Sequence, residues 1–438
     1  MKTNKENCLK EFIRYVTLNV LGMIGISCYV LADTFFIAQG LGSDGLTALN
    51  LIIPVYNLMH GCGLMLGMGG ASRYSMLKGQ RKSEKGNIVF THTVLTALVF
   101  AVFYMAAGGF FAEKISLLLG ADEAVLGMCT TYLRTMLLFS PMFLLNDVFV
   151  CFVRNDGNPQ LSMTAMLVSS LSNIVFDYIF IFIFGWGMFG AVFATGTSPV
   201  IGLCILSSHY FRKKNKFHFV KKGLEGKVLG YIFGGGLSSL IGEMSSGIVI
   251  LVFNVIMLKL QGNTGVAAYG VIANLSLVMI AIYTGIGQGI QPLISRYYGM
   301  KQPDKIKKMF RYGLVTVGIL SVLIYAGVFL QAEWIVGMFN SEADSLLQTI
   351  AEKGLKLYFT GGIFAGFNIV LAIYFMASDR IKSANLISAL RGFILIIPLA
   401  FLMAGIWKMT GLWMTFPVTE LLTAVIGVIL FAKNRSRN

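Results

Sequence analysis

Residues 171–182 read LSNIVFDYIFIF, an otherwise apolar run carrying one amide and one carboxylate. Asn173 and Asp177 are four residues apart, which stacks them one turn apart on one face of a helix. An ionised carboxylate in such surroundings costs several kcal/mol unless something compensates it. Asp33 in YVLADTFFIAQG poses the same problem, as do Glu243 in SSLIGEMSSGIV, Asp147 and Glu420; Thr195 adds a hydroxyl in GAVFATGTS. Two chemistries suit a pair such as Asp33 and Asp177. A hard cation such as sodium takes several oxygen ligands, and two carboxylates, an amide carbonyl and a hydroxyl supply them. Alternatively, two neighbouring carboxylates in low dielectric titrate as a pair, loading and releasing a proton. Either makes an ion-dependent switch acting through differential affinity for two helix arrangements.

Taken singly, these residues have plainer roles as well. Asp33 also suits an interfacial position near a helix end, and Asp177 a structural ion pair with Arg134 or Arg391. Glu243, among small residues, also suits the wall of a water-filled cavity without any coupling role. Asp147 and Glu420, near predicted helix ends, suit structural roles.

The elements that must hold these groups are membrane helices. The 438 residues are 56% hydrophobic and only 13% charged, against roughly 25% charged for a soluble domain. Twelve apolar windows long enough to cross a bilayer run from about 15–37 to 412–431. They are separated by turn-forming stretches such as QGLGSDG, RNDGNP, FGWG, QGNTG and SDR. The polar start MKTNKENCLKEFIRY has no small-residue cleavage site after its first apolar run, so that run reads as a retained span. The net charge of +15 sits mainly in KGQRKSEKG, RKKNKFHFVKKGLEGK, RYYGMKQPDKIKKMFR and KNRSRN, whereas FFAEK, GADEA and NSEADS are acidic. The positive-inside rule then places both termini in the cytoplasm of a cell-membrane protein. It also accounts for the charge through contact with anionic lipid headgroups, without nucleic acid. The six cysteines form no CxxC pair and read as small buried hydrophobes, not disulfides or a metal site.

An offset of 220 residues superposes GLTALNLIIPVYNLM (45–59) on GVAAYGVIANLSLVM (265–279), and GMGGASRYSMLKGQRKSEK (67–85) on GQGIQPLISRYYGMKQPDK (287–305). Two six-helix halves, 1–215 and 216–438, each with an even span count, must share one orientation, as in transporters whose lobes rock about a central cavity. The fold expected is all-α, with both lobes lining that cavity. The glycine clusters GLMLGMGG and GGG lack a following GK[ST] and a βαβ unit, so they read as close helix packing. No nucleophile elbow or His/Cys cluster points to an enzyme; His60 and His92 stand isolated and read as packing.

The run GNPQLSMTAMLVSSLSNIVFDYIFIFIFGWGMFGAVFAT (157–195) resembles the helix 5–6 signature of multidrug and toxic compound extrusion (MATE) transporters. That family has a GNP-type loop, an N-x-x-x-D pair and a G-x-x-G-A-type entry to helix 6. YVLADTFFIAQGLGSDGLTALNLIIP resembles its helix 1–2 region, and the likeness extends more loosely over the second half. The resemblance implies a twelve-helix antiporter that expels amphipathic organic cations against inward sodium or proton flow, with no cofactor beyond that ion. It implies an N-lobe ion site, for sodium or protons, at Asp33, Asn173, Asp177 and Thr195. Some relatives carry a second acidic pair across helices 7 and 10. Glu243 matches its first member, but LYFTGGIFAGFNIVLAIYFM has no carboxylate, which leaves Glu243 for cationic substrate or protons. A runner-up reading is a flippase of the same architecture for lipid-linked sugars; its anionic substrates favour cavity bases, and the candidate bases, mainly Arg134 and Arg391, are outnumbered by acids. A receptor or channel fits the repeat poorly. Nothing in the plan requires more than a monomer.

Overall fold

The computed structural model describes residues 2–223, 225–340 and 344–435. The NSEADS loop and the KNRSRN tail fall partly outside them. Three helices are too long to be single spans. A straight helix of the 78 residues Lys2–Gly79 would be about 120 Å long, some four times the hydrocarbon thickness of a bilayer. It reverses at Gly42 (φ 69°, ψ −158°) to give spans 1 and 2. Gly226–Gly299 reverses at Gly262 (φ 62°, ψ −151°) to give spans 7 and 8. Both dihedral pairs lie where a side chain is strained and glycine is not. The Tyr29 and Tyr56 hydroxyls, 2.9 Å apart, tie the first hairpin across its two arms.

Span 3 is Ser83–Leu118. Span 4 is Leu126–Leu138 followed by Ser140–Asn155, bent by 50°, where Pro141 stands in the first turn of the second segment and withdraws a backbone donor. Span 5, Pro159–Tyr178, runs on through a π-helical turn, Ile179–Ile183. Span 6 is Gly187–Phe211 and span 9 is Pro303–Leu330. A short helix, Ala332–Phe339, leads to span 10, which combines Ser345–Tyr358 and Gly362–Ala377. Span 11 starts at Ile381–Ala389 and passes a second π-helical turn, Leu390–Ile394. It continues into Ile396–Arg435, whose break at Lys408 (φ 50°) separates span 12. Among the described residues twelve spans agree with the hydropathy windows, and an even number brings the outer ends of the first and last spans to the same, basic-loop end of the bundle.

The repeat is visible in backbone and contacts. Gly42 and Gly262 are 220 residues apart, as are Arg81 (φ 60°) and Lys301 (φ 55°) at the basic turns. The halves meet along a seam with matching symmetry. Ser72 Oγ lies 2.9 Å from Ser295 Oγ, and Ser75 Oγ donates to the Pro292 carbonyl at 3.2 Å; adding or subtracting 220 turns one pair of positions into the other. Gly69 of span 2 lies against backbone atoms of Ile232 and Gly236 in span 7, and Gly289 of span 8 lies against the backbone of Tyr15 and Val16 in span 1. Such self-complementarity is what a two-fold interface produces.

That seam is closed at the basic end. Met65–Leu77 of span 2 is buried apart from the partly exposed Arg73, and 285–295 of span 8 is wholly buried. Arg154 of span 4 is fully buried there, donating to Asn19 Oδ1 (2.6 Å) and to Gln288 Oε1 of the other lobe (2.8 Å). Asn155 donates to Gln291 Oε1 at 3.0 Å, and Arg296 pairs with Glu11 at 2.8 Å. Toward the other end, 53–58 and 243–250 are partly exposed, and Pro54 is exposed. The lobes therefore diverge into a cleft that opens at the end opposite the termini.

The connection between the lobes, 212–225, is strapped to the first lobe. Backbone amides of His218, Val220 and Glu225 donate to Asn87 Oδ1 (3.1 Å), Thr91 Oγ1 (3.1 Å) and His92 Nε2 (2.8 Å) of span 3. Phe217 is buried among Tyr74, Phe90, Phe149, Phe152 and His209.

Candidate functional site

Span 5 is built to present its polar face at a fixed depth. Asn158 caps it by accepting from the Leu161 amide at 3.2 Å, and Pro159 occupies the first turn. Four turns on, Asn173 and Asp177 are both fully buried. The π-helical turn follows at once, a local widening that often accompanies functional positions. The FGWG turn, with Gly185 and Gly187 at positive φ, returns the chain into span 6. There Gly190 lets span 6 approach the Phe180 carbonyl, and one turn later Thr195 stands beside Asn173.

With the Asn173 amide oriented as its neighbours require, Nδ2 donates to Asp177 Oδ2 and Oδ1 accepts from the Thr195 amide, each at 3.2 Å. The Thr195 hydroxyl donates to the Ala191 carbonyl at 3.1 Å. Asp33 of span 1, 7% exposed, brings its carboxyl close to that of Asp177. Tyr132 of span 4 is buried nearby. Asp33 Oδ1 and Asp177 Oδ1 are both buried without a hydrogen-bond partner. No ion pair among the described residues involves either aspartate. Each carboxyl thus carries one buried oxygen without a partner, and the Asn173 amide stands alongside Asp177. The residues present fit a proton shared by the pair or a sodium ion among oxygens.

The other intramembrane acids go elsewhere. Arg391 does not reach Asp177; it makes a two-pronged pair with Glu420 (2.7 and 3.1 Å), and Asn368 of span 10 donates to the same carboxylate at 2.7 Å. Arg134 is exposed. Asp147 accepts from or donates to His60 Nδ1 at 3.0 Å, the proton's position depending on the tautomer. His60 is thus no isolated packing residue; its ring also stacks on Tyr56 with centroids 5.8 Å apart. His92 does serve the scaffold, through the Glu225 amide. Glu243 of span 7 stands against Gly61 of span 2, with His60 and Asp147 within electrostatic range. Glu243 therefore groups with His60 and Asp147, not with Asp33 and Asp177.

Some residues of these sites carried no sequence signal. Tyr132 reads as one more aromatic in an apolar run, and His60 and Asp147 are separated by 87 positions. Asp156, in RNDGNP, passes for a turn residue. It is in fact a hub, accepting from Tyr74 (2.7 Å), Lys78 (2.5 Å), His209 (2.9 Å) and the Lys216 amide (2.8 Å).

Comparison with known proteins places this arrangement. The MatE family model matches residues 20–179 and 240–402, one stretch in each half. The chain is 26% identical over 437 residues to the multidrug export protein MepA of Staphylococcus saprophyticus, covering 99% of this chain and 95% of that protein. It is 26% identical to MepA of Staphylococcus aureus MRSA252 with the same coverage. Among solved structures, an outward-facing multidrug resistance MATE family transporter of the MOP superfamily superposes with a TM-score of 0.92 at 20% identity, covering 98% of this chain and 96% of that one. A MOP superfamily transporter from Pyrococcus furiosus, described as having a binding pocket of reverse polarity, superposes with a TM-score of 0.90 at 21% identity, covering 97% and 95%. With both matched stretches lying on equivalent spans of the two halves, the chain belongs to the MatE family of membrane transporters.

Proposed function

We propose that this protein is a cation-coupled antiporter that exports amphipathic organic cations from the cytoplasm by alternating access. The observation that carries the reading is the Asp33–Asp177 pair: two buried carboxyls in mutual reach, each with an unpartnered oxygen and neither with a basic partner. Loading the pair with sodium or a proton neutralises the first lobe. The arrangement that binds the ion best is then the more populated one, and ion flow down its gradient resets the lobes. Asn173 and Thr195 hold the pair in place, and under sodium coupling they complete its oxygen shell. The resemblance to multidrug export proteins supports drugs as cargo, and acidic and aromatic groups around the cleft favour cationic ones. Termini and basic loops would face the cytoplasm of a bacterial cell membrane. A monomer holds every part of this mechanism.

The flippase reading needs free basic groups for an anionic headgroup. The Arg391–Glu420 pair leaves no net positive charge there, and Arg134, the other candidate base, is exposed on span 4 away from any acid partner among the described residues.

The test is efflux of a cationic dye from proteoliposomes with sodium and proton gradients imposed separately. Efflux under one gradient, abolished by Asp177→Asn and by Asp33→Asn in normally folded protein, is the expected result. Full gradient-driven efflux by both variants would overturn the assignment.

A further inference from the structure

The His60–Asp147–Glu243 group lies outside the Asp33–Asp177 pocket, and neither the fold nor the ion switch uses it. Its parts come from three spans and both lobes. His60 stands about halfway along span 2, with its side chain 22% exposed. Its Nδ1 is 3.0 Å from Asp147 Oδ2 of span 4, and Asp147 is itself 8% exposed. Glu243 approaches from span 7 of the other lobe, where Gly61 leaves room for it. Tyr56 stacks flat on the imidazole, at 11° between planes, and its hydroxyl is held by Tyr29 of span 1. The titratable groups around His60 are thus Tyr29 on span 1, Tyr56 on its own span, Tyr132 and Asp147 on span 4, and Glu243 on span 7. Among the described residues neither Asp147 nor Glu243 has a Lys or Arg partner.

Two carboxylates and an aromatic face beside a partly open cleft match a delocalised organic cation. One group already present can supply the same positive charge. From the geometry of this cluster we infer that His60 is a tethered competitor: its protonated ring occupies Asp147 and Glu243, and its neutral ring yields them to the cationic group of a transported molecule. The site binds a monovalent amphipathic cation and releases it as His60 gains a proton. His60 then sets how substrate affinity depends on pH, separately from the ion that drives the lobes. A histidine is the residue whose charge changes in the physiological range, which suits it to that exchange.

This inference rests on the cation-export reading and deepens it. The test measures tetraphenylphosphonium binding to the purified full chain in detergent, by calorimetry, from about pH 10 down to about pH 6, an interval wide enough to carry a carboxylate-paired histidine through its titration. Competition with one proton weakens binding by up to about tenfold per pH unit below the titration point. For the unaltered protein the expected result is tight binding at high pH and progressive weakening on acidification. His60→Asn keeps a polar group beside Asp147 but cannot become charged, so its affinity should stay flat over that interval. His60→Gln, a second neutral variant, guards against a folding defect peculiar to one side chain. Glu243→Gln should weaken binding at every pH. If His60→Asn and His60→Gln bind the cation with the unaltered pH slope, the inference fails and cation export stands. If the unaltered protein binds no tetraphenylphosphonium at any pH, both fail together.

Discussion

Closure of the basic end depends on glycine at the seam, and Gly236→Ala tests this directly. A Cβ built at Gly236 would lie 2.8 Å from Met65 Cα, with the Met65 carbonyl oxygen nearer still; ordinary contact begins at 3.4 Å. The Met65 carbonyl carbon is nearer than Cα, at 2.5 Å, so span 7 must retreat from span 2 by at least about 0.9 Å, and the obstruction is backbone, which cannot swing aside. Overpacking of this kind costs roughly 1–3 kcal/mol. Alanine also favours the helix by up to about 1 kcal/mol, but that gain applies in both lobe arrangements and cancels from their ratio. The closed arrangement should lose about 1–3 kcal/mol relative to the open one, a shift of roughly 5- to 150-fold. The assay is the labelling rate of Ser295→Cys, buried at this seam, by a membrane-impermeant maleimide after replacement of the native cysteines. Gly236→Ala should speed labelling. Gly289→Ala should do the same, because its Cβ would lie 2.7 Å from Val16 Cα at the symmetry-related crossing. Gly109→Ala, which meets nothing within 4 Å, is the control. Unchanged labelling in both seam variants would refute the idea that backbone contact governs closure.

Three further outcomes follow from the polar groups. Thr195→Val removes a hydroxyl but keeps the shape of the side chain; it should raise the sodium concentration for half-maximal efflux if sodium is the coupling ion, and leave proton-driven efflux close to normal. Glu420→Gln leaves Arg391 without its carboxylate and should destabilise by roughly 3–5 kcal/mol, whereas the double change Arg391→Met, Glu420→Met should recover most of that in thermal unfolding. For Asp156, burial alone would raise the carboxyl's pKa, but the bonds from His209 and Lys78 outweigh it and hold it below its ordinary value. A depressed carboxylate adds stability that is complete above its unfolded value, about 3.9, and is lost as pH falls through the folded value. The gap in melting temperature between the unaltered protein and Asp156→Asn should therefore be wide at neutral pH and close below about pH 4.

Much of the architecture was legible because a membrane imposes few solutions. Apolar length marks a span, charge bias sorts the loops, and Asn173 and Asp177 share a face by spacing alone. The turn at Gly42 was visible in QGLGSDG, whereas the turn at Lys408 has a lysine where glycine is expected and was found only as a gap between apolar runs. The 220-residue echo foretold two related halves. It did not foretell that Gly69 and Gly289 occupy symmetry-related crossings, since the same glycines would also suit packing within one half. Pairings across the bundle were the least legible. Nothing local distinguishes Arg391 beside Glu420 from Arg391 beside Asp177, nor joins His60 to Asp147, because in a helical bundle the partner is chosen by how spans are ordered around the axis.

The strap over the first lobe has a mechanical consequence. Glu225, whose amide is fastened to His92, is the residue immediately before span 7 begins at Gly226. The second lobe therefore has no slack leash. Its first helix leaves from a fixed point on the surface of span 3, so that point acts as a pivot: the lobe is free to swing about it but not to slide away. Inserting a few flexible residues after Glu225 would keep every contact of either lobe and still loosen the geometry of the stroke. In such a machine the length of one short connection fixes how motion in one half becomes motion in the other.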